Sequence, residues 1–236
     1  MKKLLVISVF LNILFIALFG YIVHRKGGID YLKNRFFNDR GCKKCKYMSH
    51  YYTKKSIFEA MPDDTNEIVF LGNSISDNCD WYELFRDCRI KNRGVDTDII
   101  DGVIERLDEV VRSKPKQIFL MIGTNDLKVK KDVALVLSDY ERLIKLIIEK
   151  TPETELFIQS VLPTYHDLKR KNSDIIEINK GLIELSQKYD LQYIELFDLF
   201  LNENQELDTA YSFDGLHVNG KAYLIWKKAI EKYVNG

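Results

Sequence analysis

The sequence has no excess of charge of either sign and no internal repeat. It contains 35 Lys and Arg residues and 35 Asp and Glu residues, so its formal net charge at pH 7 is zero. Because nucleic-acid binding requires a positive field over at least part of the surface, this balance argues against a nucleic-acid partner. No low-complexity tract interrupts the chain, and 46% of its residues are hydrophobic. The sequence therefore predicts a globular protein that buries a substantial core.

Cysteines are few, and the four present do not settle the redox compartment. Cys42 and Cys45 form a Cys-Lys-Lys-Cys pair that would suit half a zinc site, a redox pair or a disulfide. Cys79 and Cys88 could bridge each other or reach back to the first pair, whereas a zinc site would need all four to converge. An even number in an exported domain favours disulfides, and four free thiols in a reducing cytoplasm is the alternative.

The N-terminus carries an apolar run from Leu4 to Val23, with Lys2-Lys3 before it and Arg25-Lys26 after it. Such a run is long enough to cross a hydrocarbon core of about 30 Å. Its end lacks a clear small-x-small cleavage site, so we predict an uncleaved transmembrane anchor within residues 1–26 rather than a signal peptide. Residues 27–62 are then interpreted as a basic connector containing Cys and Tyr, and residues 63–236 as the main globular domain.

From Glu67 onward, apolar runs typical of strands alternate with segments of helical periodicity. The predicted strands are Glu67–Leu71, Arg89–Asn92, Gln117–Ile122, Glu155–Val161 and Gln192–Leu196. The predicted helices are Asp98–Ser113, Asp132–Lys150, Ser173–Tyr189 and Asn219–Tyr233. This alternation predicts an α/β fold with three layers, α/β/α, around a parallel five-stranded sheet of the flavodoxin-like kind.

Four short motifs accompany these elements in a fixed order. They are Gly72-Asn73-Ser74-Ile75, Asn92-Arg93-Gly94-Val95, Gly123-Thr124-Asn125-Asp126 and Asp214-Gly215-Leu216-His217. The first three follow predicted strands, so they lie at the carboxyl edge of the sheet, where α/β proteins bind ligands. Each motif alone also fits an ordinary turn or helix cap. Their occurrence together is what indicates a catalytic site.

The residue types in these motifs suit serine-dependent acyl transfer. A serine hydroxyl needs a neighbouring base to become a nucleophile, and His217 is the candidate base. Asp214 precedes it by three residues, about one helical turn, so the carboxylate is expected to contact the imidazole. A glycine N–H or an Asn side-chain amide can stabilise the oxyanion of a tetrahedral intermediate.

The four motifs resemble those of the SGNH hydrolases, the GDSL-type esterases and lipases. The resemblance extends from Glu67 to the C-terminus and is greatest to carbohydrate acetylesterases and platelet-activating-factor acetylhydrolase-like members. It implies Ser74 as nucleophile, His217 as general base and Asp214 as its orienting partner. It also implies an oxyanion hole built from Ser74, Gly94 and Asn125, with no metal or organic cofactor. One departure is visible, since Asn73 stands where the family usually has Asp.

The resemblance predicts a serine esterase acting on a short acyl ester, most simply an acetyl ester, of a carbohydrate or a lipid. A lysophospholipase, a thioesterase or a sugar O-acyltransferase would use the same residues. A non-catalytic binding protein tethered to the membrane through residues 4–23 is the alternative from another class. His166 follows a predicted strand and is a further candidate for substrate contact.

The location of the domain is open to two interpretations. The excess of Lys and Arg after the apolar run favours a cytoplasmic domain by the positive-inside rule. The resemblance favours the other side, because anchored esterases of this kind usually act outside the cell. We therefore predict a membrane-anchored protein with an extracytoplasmic catalytic domain.

Overall fold

The computed structural model describes residues 2–25, 44–64 and 66–234. The chain divides into two compact units, Met1–His50 and Tyr51–Gly236. The second unit begins earlier than the predicted domain boundary at residue 63. The reason lies in side-chain contacts: the Tyr51 hydroxyl donates to the Gly102 carbonyl at 2.7 Å, and Lys54 pairs with Asp77 at 2.6 Å.

The first unit contains helix α1 (Lys2–Arg25), and helix α2 (Lys44–Ala60) spans the boundary between the units. Among the described residues, no helix has both the length and the apolar character that crossing a membrane requires. The predicted transmembrane anchor over residues 4–23 is therefore not supported. Residues 27–43 of the predicted connector, including Cys42, lie outside the described residues.

The second unit is built on a five-stranded sheet in which every pairing is parallel. The strands are β1 (Ile68–Gly72), β2 (Ile90–Gly94), β3 (Gln117–Met121), β4 (Glu155–Gln159) and β5 (Gln192–Ile194). Their spatial order is β2-β1-β3-β4-β5. Gly72 pairs with Gly94 on one side and with Met121 on the other, so β1, β2 and β3 end level with one another. The predicted α/β fold with five parallel strands is confirmed.

The two faces of the sheet bury different side chains. One face is mainly aliphatic, with Val69, Leu71, Ile118 and Leu120 packed among the residues of one core cluster. The other is aromatic, and the rings of Phe70, Phe119 and Phe157 stack along it with centroids 5.1 and 4.6 Å apart. Alternate residues of each strand point to opposite faces, which is why continuous apolar strands indicate a sheet covered on both sides.

Helices and one 3₁₀ helix connect the strands and form the outer layers. The helices are α3 (Ser74–Asp77), α4 (Trp81–Phe85), α5 (Ile100–Glu105), α6 (Leu107–Val111), α7 (Thr124–Lys128), α8 (Val133–Lys150), α9 (Asn172–Lys188) and α10 (Gly220–Val234). The 3₁₀ helix covers Phe197–Phe200. Helices α5, α6, α8 and α9 contribute to the aliphatic cluster, whereas α3, α4 and α10 contribute to the aromatic one.

The predicted helix Asp98–Ser113 is wrong as a single element. It breaks at Arg106, whose φ of −106° and ψ of 12° leave the helical region. The break turns this guanidinium inward, where it donates to the carbonyls of Gly72 and Arg93 at 3.3 and 2.9 Å. A charged residue on the apolar face of a periodic segment was the signal for this departure.

Cys79 and Cys88 are free thiols in the structure. Cys79 is buried and Cys88 is exposed, and neither forms a disulfide. A bridge between these two residues, one of the predicted alternatives, is therefore wrong. In the described part of the chain, no group of three or more His, Cys, Asp or Glu side chains is placed to hold a metal ion.

Candidate active site

Ser74 begins helix α3, directly after β1. Asn73 caps this helix, since its side-chain oxygen accepts the Ile75 N–H at 3.0 Å. The side-chain oxygen of Asn73 thus caps the helix, as the carboxylate of the Asp that the family usually has at this position would. Two side chains of the aromatic cluster also bond to carbonyls of this helix. The Tyr223 hydroxyl donates to the Ile75 carbonyl, and the Trp81 indole N–H donates to the Ser76 carbonyl.

His217 lies between Ser74 and Asp214. Its Nε2 is 2.9 Å from the Ser74 Oγ, and its Nδ1 is 2.6 Å from the Asp214 Oδ2. The nucleophile and its candidate base are separated by 143 positions in sequence, so the fold brings them together. These are the two contacts that a Ser-His-Asp triad requires.

The Asp214–His217 segment is a loop and not the helical turn assumed from the spacing. Gly215 has a φ of +79°, and the other Asp214 oxygen accepts the backbone N–H groups of Leu216 and His217. Burial by itself would raise the pKa of Asp214, but the hydrogen bonds from the His217 ring and from these backbone groups outweigh it and lower the pKa to about 2. The carboxylate is thus held ionised beside the imidazole.

Asn125 lies in the first turn of α7, after β3, and is buried. Its Nδ2 donates to the Asp98 carbonyl at 3.0 Å, and its Oδ1 accepts from the Arg170 guanidinium at 3.0 Å. An amide nitrogen carries two hydrogens, so one N–H of Asn125 remains for another acceptor. Ser74 follows β1 and Asn125 follows β3, which is the neighbouring strand in the sheet. Both residues therefore lie at the same edge of the sheet.

The geometry of Gly94 does not suit the oxyanion role that the resemblance implied. Its N–H donates to the Asn92 side-chain oxygen at 2.8 Å and is therefore engaged. A Cβ at this position would lie 2.1 Å from the Asp77 backbone nitrogen. Gly94 is accounted for by the close packing of β2 against α3, which leaves no room for a side chain.

Thr97 is a residue of this edge that the sequence did not single out. Its φ is +62°, a left-handed conformation that is rare for a β-branched residue. Among the described residues, the Thr97 N–H has no hydrogen-bond acceptor. It directly precedes Asp98, whose carbonyl holds Asn125. Nothing in the sequence marks a threonine for positive φ, so no signal could have found it.

The model of the GDSL-like Lipase/Acylhydrolase family matches residues 70–225 of the chain, which include all four motifs. The chain belongs to this family. The family is described as one of lipases and acylhydrolases, which are enzymes that cleave acyl esters.

Solved structures resemble this chain along most of their length. A Streptococcus pneumonia protein named for platelet activating factor is 25% identical, with a TM-score of 0.72 over 80% of this chain and 94% of the other. A GDSL-like lipase from Bacteroides thetaiotaomicron is 18% identical, with a TM-score of 0.69 over 78% and 97%. An acetyl xylan esterase is 16% identical, with a TM-score of 0.61 over 71% and 99%. The last two likenesses show the fold alone.

Two curated relatives of the chain are longer proteins. They are N-acylneuraminate cytidylyltransferases of Escherichia coli O18:K1:H7 and of Streptococcus agalactiae serotype V, 25% and 23% identical over 181 and 133 residues. These matches cover 73% and 56% of this chain but only 41% and 32% of the relatives. The chain thus spans less than half the length of either relative.

A buried network of charges includes Asp98, whose carbonyl accepts from Asn125. Arg106 pairs with Asp98 at 2.9 Å and with Glu109 at 3.2 Å, and Glu109 also accepts from Arg93 at 3.0 Å. Burial raises the pKa of Asp98 to about 6, although the charge of Arg106 and its hydrogen bond act to lower it. Through the Gly72 and Arg93 carbonyls, the network ties together the ends of β1 and β2.

Asp126 forms a second buried carboxyl beside Asn125. It accepts the Ile100 N–H and lies 3.0 Å from the Lys131 ammonium. Burial raises its pKa to about 6, against the opposing hydrogen bond and charge of Lys131. These contacts join the start of α5 to α7 and so brace the segment that carries Asn125.

His166, the predicted substrate contact, lies in the loop that follows β4. Its ring packs against that of Tyr165, and its Nδ1 is 3.5 Å from the Glu206 carboxylate. The Tyr165 N–H donates to the Gly215 carbonyl at 2.8 Å, so this loop adjoins the loop of His217. The side chain of His166 is mostly exposed, and its contact with substrate stays a prediction.

Proposed function

We propose that the protein is a serine esterase that removes a short acyl group, in the first instance acetyl, from a hydroxyl of a carbohydrate. The observation that carries the proposal is the pair of contacts that His217 makes, at 2.9 Å to the Ser74 Oγ and at 2.6 Å to Asp214. In this arrangement His217 can deprotonate the Ser74 hydroxyl, and Asp214 accepts from the imidazole and orients it.

In the proposed reaction, the Ser74 Oγ attacks the ester carbonyl carbon while the His217 Nε2 takes the hydroxyl proton. Asp214 accepts the Nδ1–H throughout and stabilises the imidazolium. The tetrahedral intermediate collapses, the ester C–O bond breaks, and His217 returns the proton to the leaving alcohol. Water deprotonated by the same imidazole then releases the carboxylic acid and regenerates Ser74.

The oxyanion of the intermediate needs preorganised donors. The N–H of Ser74 has no acceptor among the described residues, and Asn125 has one amide hydrogen to spare. The Thr97 N–H is a better third candidate than Gly94, because the Gly94 N–H is already engaged with Asn92. The oxyanion hole that we propose is therefore Ser74, Asn125 and Thr97.

The carbohydrate assignment draws on the resemblances. One structural neighbour is an acetyl xylan esterase, and two relatives in sequence are named for N-acylneuraminate. Acetylated xylan and an O-acetylated N-acylneuraminate are thus the first natural esters to assay. A lysophospholipid and an acyl thioester test the alternatives.

The decisive experiment compares the purified full-length protein with Ser74→Ala on p-nitrophenyl esters of increasing acyl length. We expect hydrolysis that is fastest with acetate and falls by roughly 10⁴-fold or more in the variant. An optimum at long acyl chains would favour a lipase. Equal rates in the two proteins would exclude Ser74 as the nucleophile. Ser56→Ala, on exposed helix α2, is the matched control.

An extracytoplasmic location of the domain stays a prediction, and the exposed thiol of Cys88 offers a test. We expect a membrane-impermeant maleimide to label intact cells that produce the protein, with weaker labelling in Cys88→Ser. Loss of Cys88-dependent labelling in intact cells, with labelling restored after lysis, would place the domain inside.

A further inference from the structure

Asn125 is held from both ends of its amide. Its Nδ2 donates to the Asp98 carbonyl, and its Oδ1 accepts from the Arg170 guanidinium, both at 3.0 Å. Asn125 is 5% exposed and Arg170 is 6% exposed, so water does not compete for these bonds. Arg170 reaches Asn125 from the loop after β4, 45 positions along the chain.

The loop holds Arg170 in place by its own contacts. One guanidinium nitrogen lies 2.5 Å from the Asp167 carboxylate, and the Arg170 carbonyl accepts from the Thr164 hydroxyl at 2.7 Å. Within the described residues, the buried Nε of Arg170 has no partner. A buried donor without a partner is unfavourable for stability. The hydrogen bonds of Arg170 therefore do not by themselves explain its position, because they leave its Nε without a partner among the described residues. Its contact with Asn125 explains the position better.

We propose that Arg170 is a positioning residue for the oxyanion hole and acts through Asn125. The two ends of an Asn amide have nearly the same shape, so the surrounding donors and acceptors decide which end points where. Arg170 offers only donors and the Asp98 carbonyl only accepts. Together they require the amide oxygen to face Arg170 and the NH₂ to face Asp98 and the reacting carbonyl.

Two consequences for the reaction follow from this contact. A flipped Asn125 would present oxygen lone pairs to the developing oxyanion, which would repel it instead of stabilising it. A cationic donor on the amide oxygen also withdraws electron density from the NH₂ group and strengthens its remaining hydrogen bond. Both effects operate in the transition state and not in the binding of the uncharged ester, so they change kcat more than KM.

This inference rests on the proposed role of Asn125 as an oxyanion donor. A double-mutant cycle distinguishes failure of the inference from failure of that proposed role. The rates of wild type, Asn125→Ala, Arg170→Met and the double variant are measured on p-nitrophenyl acetate. We expect Arg170→Met to lower kcat by roughly 10- to 100-fold, less than removal of the donor itself, with KM almost unchanged. In the Asn125→Ala background, we expect the second change to alter kcat by no more than about twofold.

Lys169→Met is the matched control, because it removes a like charge from the neighbouring, exposed position of the same loop. We expect wild-type kcat in this variant. Arg170→Lys keeps the charge but replaces the planar fork by a single ammonium, and we expect it to recover part of the kcat that Arg170→Met loses.

Each outcome of the cycle decides something. Equal losses from Arg170→Met in the two backgrounds would overturn the inference, since Arg170 would then act independently of Asn125. An unchanged kcat in Arg170→Met would overturn it as well. Normal turnover in Asn125→Ala would instead overturn the oxyanion hole proposed above. If thermal unfolding shows that Arg170→Met does not fold, Arg170→Gln replaces it in the same cycle, with the same expectation.

Discussion

The two sides of the candidate active site, the proposed triad and the proposed oxyanion hole, are built in opposite ways. On the triad side, Asp214 is a half-exposed carboxylate held by bonds to residues two and three positions away. On the oxyanion side, Asn125 is held by Asp98 and Arg170, and Asp98 in turn by the buried Arg106. The pKa of Asp214 is lowered to about 2, whereas that of Asp98 is raised to about 6.

This difference predicts on which side of the site a mutation can change activity without changing the stability of the fold. Asp214, the acid of the proposed triad, is fixed by local hydrogen bonds near solvent, so we expect its loss to change the chemistry and leave the fold intact. The side that holds Asn125 is fixed by buried charges drawn from several segments, so we expect a change there to alter stability and chemistry together.

The largest effect is expected from Asp214→Asn. The amide cannot accept the Nδ1–H in the same way, so His217 loses the partner that sets its tautomer, and kcat is expected to fall by about 10⁴-fold. Because Asp214 is half exposed, solvent screens its stabilising ion pair with His217, and the denaturation midpoint should fall only slightly. Kinetics with p-nitrophenyl acetate and urea unfolding measure the two quantities. A small loss of kcat, like that of the exposed control Asp198→Asn, would contradict the triad.

The next effect tests the buried side. Arg106→Met leaves Asp98 and Glu109 without their shared cation, and we expect the free energy of unfolding to fall by about 3–5 kcal/mol. Arg142→Met is the matched control, because Arg142 makes exposed ion pairs with Asp101 and Asp139 and should change stability by about 1 kcal/mol or less. Similar values for the two variants would show that the buried network does not stabilise the sheet edge.

The dependence of stability on pH sharpens the same comparison. Asp126 has a folded pKa of about 6 against a reference of 3.8, so the folded state binds more protons between these values. Lowering the pH from 7 to 5 should therefore raise the free energy of unfolding through this group. The contribution of Asp214 has the opposite sign and lies lower, since it is present above pH 3.8 and lost as the pH falls through about 2.

Urea unfolding at pH 7 and pH 5 measures this difference. We expect Asp126→Asn to reduce the gain in stability at pH 5, and Asp214→Asn to leave it unchanged. An equal gain in the Asp126 variant and in wild type would remove Asp126 as its source.

The smallest effect concerns Thr97. Glycine adopts a φ of +62° without the steric cost that a β-branched residue bears, so Thr97→Gly should stabilise the protein by up to about 1 kcal/mol. Its backbone N–H is unchanged, so kcat should stay near that of wild type. Thr97→Ala, which keeps a Cβ at positive φ, is the control and should gain less. A large loss of kcat in the glycine variant would show that the threonine side chain itself contributes to the reaction.

Much of the fold could be predicted from the sequence, because buried parallel strands are continuous apolar runs. All five predicted strands are confirmed within a few residues at their ends. The helix over Asp98–Ser113 was wrong because periodicity does not reveal that Arg106 bonds to carbonyls at the ends of two strands. The anchor over residues 4–23 was predicted from the length of the apolar run, its basic flanks and the lack of a cleavage site, and the structure does not support it.

The site was predictable where short motifs hold the chemistry, and less so where tertiary contacts decide it. The motifs led to Ser74, Asp214, His217 and Asn125, whose catalytic roles stay predictions until they are measured. Gly94 was assigned by resemblance, but the bond from its N–H to Asn92 is visible only in three dimensions. Thr97 and Arg170 carry no local signal, since their importance arises from a backbone angle and from a contact with a distant loop.

The separation of Ser74 and His217 by 143 positions has a consequence for the protein during its synthesis. At a translation rate of about 5–20 residues per second, the ribosome makes the serine on the order of 10 s before the histidine. Until the loop of His217 has emerged and docked beside Ser74, the nascent chain holds a serine without a base. The proposed esterase activity should therefore first appear when the second unit is nearly complete.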